Sequence, residues 1–313
     1  MRNLGDRLVA IVGSTAVGKS QLALHLAQTF DGEIVSADSR QVCRHMDIGT
    51  AKPSPRELSL VPHHLINIIN PDQNFSLAQY QQLAYEAIND IQRRNKLALL
   101  VGGSGLYIWS VLEGWKIPQV VPDPEFRRSL EEEVAEAGAD ELYHQLVEVD
   151  PVAGQRIDPR NVRRVIRALE VHKSTKTPFS QLQRKEAPSF KTLLIGLTAN
   201  RAELYRRIDL RVDQMIEQGL VEEVKRLVSM GYDLNLPAMC SIGYRQIAML
   251  LRGELTLAAA IQQIKFETHR FVRHQSNWFR LNDDRIHWFD INNQPGLEII
   301  KLAAKFIRGG ASP

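Results

Sequence analysis

Leu8-Val9-Ala10-Ile11-Val12 runs without a break into Gly13-Ser14-Thr15-Ala16-Val17-Gly18-Lys19-Ser20. A short apolar run, partly β-branched, reads as a strand buried on both faces of a parallel sheet. The octapeptide after it fits G-x-x-x-x-G-K-[S/T], and Leu22, Leu26 and Phe30 follow at helical spacing. The pattern therefore sits in the strand–loop–helix setting that a phosphate-binding P-loop requires. Its glycines let backbone N–H groups curl around a diphosphate, and the next helix presents its positive end. Lys19 adds a mobile charge, and Ser20 offers a hydroxyl that can ligate Mg²⁺. Whether the diphosphate belongs to a nucleotide is not decided by the loop.

Outward from this point the same grammar repeats. Glu33–Ser36 is a second strand, ending at Asp38. Ser76 suits a helix N-cap, with Leu77, Tyr80, Leu83, Ala84, Ala87, Ile88 and Ile91 on one side of the helix it starts. Leu97–Val101 is a third strand, closed by Gly102-Gly103-Ser104, and Leu193–Leu197 is a fourth. Alternating strands and helices imply an α/β class with a P-loop NTPase-like parallel sheet, its ligands beyond the carboxyl ends of the strands. Residues 118–188 break the pattern: they are bounded by proline, rich in Glu and Arg, and lack strand runs. They read as an all-helical insertion within a core formed by 1–117 and 189–313. Long helices are expected over Tyr205–Met230 and Thr256–Leu281.

A chain of 313 residues has room for two domains and a substantial core. With 44% hydrophobic and 24% charged residues it is neither disordered nor fibrous. Cys43 and Cys240 form no disulfide framework and have no zinc-site spacing, which fits a reducing cytoplasm. No apolar window is long enough to span a membrane. The net charge of +3 conceals its distribution. Between Asp123 and Asp150 ten acidic residues face two basic ones, a balance of −8, whereas fourteen basic against five acidic residues give +9 between Arg156 and Arg211. Such a basic stretch is either a solvated face or a surface that meets phosphate.

A kinase or ATPase would show an apolar strand ending in Asp to hold its magnesium, but Leu97–Val101 ends in Gly-Gly-Ser. Asp38 closes a different strand. Arg207 and Arg211 are four residues apart on one predicted helix face, where they could pair with Asp209 or Asp213 or aim two guanidinium groups at a ligand. Arg270, Arg273, Asn277 and Arg280 fall within roughly a quarter-turn of the late helix. His63 and His64, in the run PHHLINI, read as structural.

The segments GSTAVGKS (13–20), SADSRQV (36–42), MDIGTAKP (46–53), LVGGSGLY (100–107) and SIGYRQ (241–246) occur in this order. Together they resemble the tRNA dimethylallyltransferase family over nearly the whole chain. The resemblance implies transfer of a dimethylallyl group from dimethylallyl diphosphate to the N6 amine of adenosine 37, next to the anticodon, in tRNAs that read codons beginning with U. It implies that the P-loop binds the prenyl diphosphate with Mg²⁺, which accounts for the absent kinase-type Asp.

The family's general base falls on Asp38, and its catalytic arginine on Arg211. Lys19 and Ser104 join them, Ser104 standing where relatives often carry Thr. Contacts to the tRNA anticodon stem-loop fall on Asp38, Ser39, Arg40, Gln41, Ser104, Arg127, Arg163, Arg164 and Arg167. Arg207, Arg245, Arg270 and Arg273 are further phosphate-facing candidates. Cys43, His45 and His274 depart from the family pattern. The expected enzyme is a cytoplasmic monomer without a membrane partner. Prenylation of free AMP, or a P-loop nucleotide kinase or ATP-binding module, are the alternatives.

Overall fold

The computed structural model of the chain describes residues 6–309. These divide into two compact units, one made of the residues up to Leu112 and from Pro188 onward, the other of Glu113–Ala187. The first unit opens with β1 (Arg7–Gly13), α1 (Lys19–Phe30), β2 (Gly32–Ala37), α2 (Pro55–Leu60), β3 (His63–His64), α3 (Leu77–Arg93), β4 (Leu97–Gly102) and α4 (Gly105–Leu112). The second contains β5 (Trp115–Lys116), α5 (Pro124–Ala137), α6 (Ala139–Val149), α7 (Pro151–Arg156), α8 (Val162–Thr175), α9 (Phe179–Leu182) and β6 (Arg184–Lys185). The chain returns to the first unit with β7 (Lys191–Thr198), α10 (Arg201–Glu217), α11 (Leu220–Ser229), α12 (Tyr244–Leu251), α13 (Leu257–Gln275), β8 (His287–Asp290) and α14 (Gly296–Ile307).

Six parallel strands form one sheet in the order β3-β2-β4-β1-β7-β8. β1 lies between β4 and β7, and its residues Leu8–Val12 are fully buried. Covering each such Val, Leu or Ile contributes about 1.5–3 kcal/mol. That is why the most apolar run in the chain takes a central position. Gly13 ends β1 at φ +140, and a Cβ there would stand 2.4 Å from the carbonyl oxygen of Leu197. Only glycine lets the strand pass β7 and turn into the loop. After β1 the chain builds β2, β3 and β4 on one side, and only then crosses to β7 and β8. The crevice beyond the ends of β1 and β4 is thus the topological switch point, where an open α/β sheet places its ligands.

Ser76 caps α3 as expected, accepting the Gln79 N–H while the Gln79 side chain returns to the Ser76 N–H. Three features of the first unit differ from the sequence expectation. β3 and β8 extend the sheet at its two edges; their short, mixed sequences His63-His64 and His287-Trp288-Phe289-Asp290 carry no apolar run to reveal them. The helix expected over Tyr205–Met230 is two, broken where Gly219 takes φ 97. The apolar rhythm continues across that break and so conceals it. Finally, α13 stops at Gln275, which leaves Asn277 and Arg280 outside the helix and off its basic face. The chain turns there because the Gln275 side chain is buried, and because Trp278 packs over Gly105 while its carbonyl accepts the Trp109 indole N–H at 3.0 Å.

The second unit packs its helices around Leu130, Leu142, Leu146, Val165, Ile166 and Leu169. The Asp150 carboxylate, buried, caps α7 through the Ala153 N–H and accepts both the N–H and the hydroxyl of Ser180. The unit is not all-helical as expected: at its ends β5 and β6 pair as a two-residue antiparallel ribbon, whose Arg184-Lys185 strand is too short and too polar to show in the sequence.

Candidate active site

The P-loop joins β1 to α1. Ala16 sits at φ 63 and Gly18 at φ 99, so the loop curls through the left-handed region twice. A non-glycine residue there carries strain of about 1–2 kcal/mol, of the sort that functional loops retain. Gly18 caps α1 without a side-chain acceptor, and no acidic residue lies in the first turn. The N-terminal amides of α1 therefore offer an anion a site without competition from a capping side chain or a first-turn carboxylate. The Lys19 amine donates to the Ser14 carbonyl at 2.7 Å, and Ser20 is exposed in the first turn.

One strand-end away, Asp38 follows β2. One of its carboxylate oxygens accepts the Arg40 N–H at 2.8 Å, which tightens the turn. The Ser104 hydroxyl accepts the Ser39 N–H at 3.1 Å, and the Ser104 N–H donates to the Ala37 carbonyl. Ser104 is thus fastened against the residue next to Asp38. Beneath them the Tyr80 and Tyr107 rings stack at 3.6 Å, and the Tyr80 hydroxyl donates to the Ser36 carbonyl. Gln41 is turned inward: its amide accepts the Ser36 hydroxyl and donates to the carbonyls of Thr50 and Ala51. Arg40 is exposed beside Asp38.

Charge ties the two strand ends together. Burial pushes the Lys19 amine down to about 8, the Asp38 carboxylate opposes that shift, and the Arg211 guanidinium adds to it. Arg211 is likewise shifted down by burial, with Asp38 again holding it protonated. One carboxylate therefore faces two partly desolvated cations.

The sequence of α10 explains why Arg211 is available. The positions three and four residues from it hold Arg207, Ile208, Gln214 and Met215, none a carboxylate, while Asp213 pairs with Lys265 of α13 at 2.8 Å and Asp209 lies 2.9 Å from a ring nitrogen of His269. Tyr205 stacks on His269 at 4.0 Å and accepts a hydrogen bond from Arg273. Arg207, on the same face in sequence, turns back to Glu203 at 2.7 Å, and Arg245 is paired with Glu267. Arg270 is exposed and has no side-chain partner among the described residues.

In the second unit the four candidate arginines split by partner. Arg127 and Arg167 both grip Glu170, which is 2% exposed, and Arg167 also donates to the carbonyls of Pro118 and Val120. Arg163 and Arg164 project outward without side-chain partners among the described residues.

With this geometry in view, the sequence model of the IPP transferase family matches residues 41–282. The chain belongs to the IPP transferase family. It is 50% identical over 303 residues to a tRNA dimethylallyltransferase of Dehalococcoides mccartyi, covering 97% of this chain and 93% of that one. It is 53% identical over 273 residues to the tRNA dimethylallyltransferase of Roseiflexus castenholzii, covering 87% and 89%. Among solved structures, the tRNA isopentenylpyrophosphate transferase of Bacillus halodurans superposes with a TM-score of 0.71 at 40% identity, covering 96% of this chain and 97% of that one. A eukaryotic dimethylallyltransferase acting on tRNA gives 0.82 at 26% identity, covering 97% and 80%.

Two residues that organise this IPP transferase fold carry no sequence signal. Glu223 of α11 is 1% exposed and accepts the N–H groups of Asp47, Ile48 and Gly49 together with the Tyr244 hydroxyl at 2.6 Å. The MDIGTAKP and SIGYRQ segments are therefore one clamp, locked by a carboxylate outside both. Gln275 joins the P-loop to the end of β4: its amide accepts the Thr15 N–H at 2.9 Å and donates to the Gly103 carbonyl at 3.1 Å. Among the described residues no group of three or more His, Cys, Asp and Glu side chains could hold a metal. No helix among them is long and apolar enough to cross a membrane.

Proposed function

We propose that the protein transfers a dimethylallyl group from dimethylallyl diphosphate to the N6 amine of the adenosine next to the tRNA anticodon. The observation that carries this is the pairing of a P-loop with Asp38 at the end of β2, where β4 ends in Gly102-Gly103-Ser104 instead of a metal-anchoring Asp. Membership in a family whose curated relatives are tRNA dimethylallyltransferases supports the substrates.

The exocyclic amine is a poor nucleophile because its lone pair is delocalised into the purine. Attack on C1 of the prenyl group forms the C–N bond as the C1–O bond breaks and diphosphate leaves. Asp38 takes the N6 proton, and Ser104 holds the turn that carries Asp38. Lys19 and Arg211 bear on the charge that builds on the diphosphate as the bond breaks, with the P-loop amides around it. Ser20 would hold a Mg²⁺: its hydroxyl is exposed in an uncapped first turn, and a sparse protein ligand set suits an ion that dehydrates reluctantly and keeps several waters. Such an ion would supply further neutralisation of the leaving group.

The acceptor has to be splayed out of the anticodon loop to reach Asp38, and a basic surface has to hold the stem. Arg163 and Arg164 suit that task, and so do Arg40, Arg270 and Arg273. Arg127, Arg167, Arg207 and Arg245 already serve carboxylates and support the fold in the free protein. The two cysteines, Cys43 and Cys240, are unpaired, in keeping with action in the cytoplasm.

Supplying radiolabelled dimethylallyl diphosphate with unmodified tRNA and AMP together tests the reading. Label is expected in tRNA; label confined to AMP, or tight ATP binding without transfer, would overturn it.

A further inference from the structure

We propose that Gln275 is a positioning residue that sets the P-loop against the base-bearing strand ends. This rests on the reading of the P-loop as the diphosphate cradle. Gln275 ends α13, is 6% exposed, and reaches 260 residues back along the chain to accept the Thr15 N–H. Its amide nitrogen donates to the Gly103 carbonyl. Gly103 precedes Ser104, whose hydroxyl accepts the Ser39 N–H beside Asp38. A continuous track of hydrogen bonds thus runs from the P-loop through one carboxamide to the turn that holds Asp38. It bridges the crevice between the ends of β1 and β4.

The bridge requires a primary amide. Thr15 presents a donor and Gly103 an acceptor, so neither a carboxylate nor an aliphatic side chain can serve both. The fit is close, since a Cβ at Gly103 would lie 2.4 Å from the Gln275 amide nitrogen. Thr15's N–H is committed to Gln275, which holds this side of the loop while the N-terminal amides of α1 stay uncapped. Holding the loop in its receiving shape lowers the ordering cost when diphosphate binds. Holding it at a fixed distance from Ser104 keeps the prenyl carbon aligned with the amine that Asp38 serves.

Two variants test this from opposite sides. Gln275→Leu keeps the bulk and removes both bonds, and Gly103→Ala pushes the amide aside while leaving Gln275 in place. Steady-state kinetics on each, with KM taken separately for dimethylallyl diphosphate and for tRNA, should show KM for dimethylallyl diphosphate raised about tenfold, the scale of one or two lost hydrogen bonds. KM for tRNA should stay within about twofold of wild type, as should its equilibrium affinity. A merely structural Gln275 would lower kcat through a smaller folded fraction and leave both KM values alone. That outcome, in either variant that folds, overturns the proposal.

Lys19→Ala, run alongside, separates the failures. If it leaves KM for dimethylallyl diphosphate unchanged, the P-loop reading itself falls. If it raises that KM while either folded variant, Gln275→Leu or Gly103→Ala, does not, only the role of Gln275 falls. Should Gln275→Leu fail to fold, Gly103→Ala decides alone, because there the new methyl meets first the far end of the Gln275 side chain, at 2.4 Å, with the Gly13 carbonyl oxygen next at 3.3 Å.

Discussion

Arg211 on α10 faces Asp38, just beyond β2, because its own helix offers it no partner. An arginine on a helix normally finds a carboxylate three or four residues away. Here those positions hold Arg207, Ile208, Gln214 and Met215, and Asp213, two residues on, meets Lys265 of α13, so Arg211 is left to face Asp38 and the P-loop. Arg211→Ala should lower kcat/KM for dimethylallyl diphosphate by about 10²–10³, the scale of one lost charge-stabilising donor. tRNA affinity, measured by filter binding, should hardly move. Arg207→Ala should cost far less, because Glu203 already occupies that guanidinium.

The lowered pKa of Lys19 predicts a pH dependence with a definite sign. Below about 8 the amine is charged and attracts the diphosphate; as pH rises through that value the charge is lost. The plot of log kcat/KM for dimethylallyl diphosphate against pH should therefore bend downward near 8. Lys19→Arg should remove the bend, because a guanidinium stays protonated throughout that range. A bend that persists in the variant would assign it to another group.

Glu223 makes a prediction about stability. Its carboxylate satisfies three backbone N–H groups and the Tyr244 hydroxyl, all in buried or partly buried positions. Glu223→Ala leaves those donors unpaired. Urea denaturation should show a loss of about 3 kcal/mol or more, given about 1.5–3 kcal/mol for each bond to a charged group and incomplete relaxation of the rest. Limited proteolysis should then cut within residues 46–53 faster than in the wild type.

Within the second unit the arginines should sort by partner. Arg163→Glu and Arg164→Glu should weaken tRNA binding and flatten its dependence on salt by about one unit of slope for each phosphate no longer neutralised. Arg127→Leu should instead lower the melting midpoint, because it leaves the buried Glu170 one cation short. Fluorescence anisotropy across a salt series and a thermal melt separate the two behaviours.

The readable parts of this sequence were the ones with local signatures. β1, β2, β4 and β7 are runs of apolar residues long enough to mark buried strands, and the P-loop announces itself by glycine spacing. Asp38 could be placed at a strand end, and Arg211 on a helix face, by counting alone. Gln275 and Glu223 could not, because each is a single polar residue in a helical pattern whose backbone partners lie 170 residues or more away. The break at Gly219 was hidden for a different reason: glycine inside an apolar rhythm is tolerated often enough that only the observed φ of 97 distinguishes a boundary from a weak point. The arginines expected to meet tRNA looked alike in the sequence. Burial of Glu170 separates Arg127 and Arg167 from Arg163 and Arg164, and burial depends on tertiary packing.

The role of Asp38 as acceptor of the reacting amine's proton is tested most directly by a single-turnover measurement. With saturating tRNA and dimethylallyl diphosphate, Asp38→Asn should form N6-(dimethylallyl)adenosine about 10²–10⁴ times more slowly than the wild type, the range for a lost general base. Its tRNA dissociation constant should stay within about threefold of the wild-type value, since Asn keeps the acceptor for the Arg40 N–H. A variant that forms product at the wild-type rate would contradict that role.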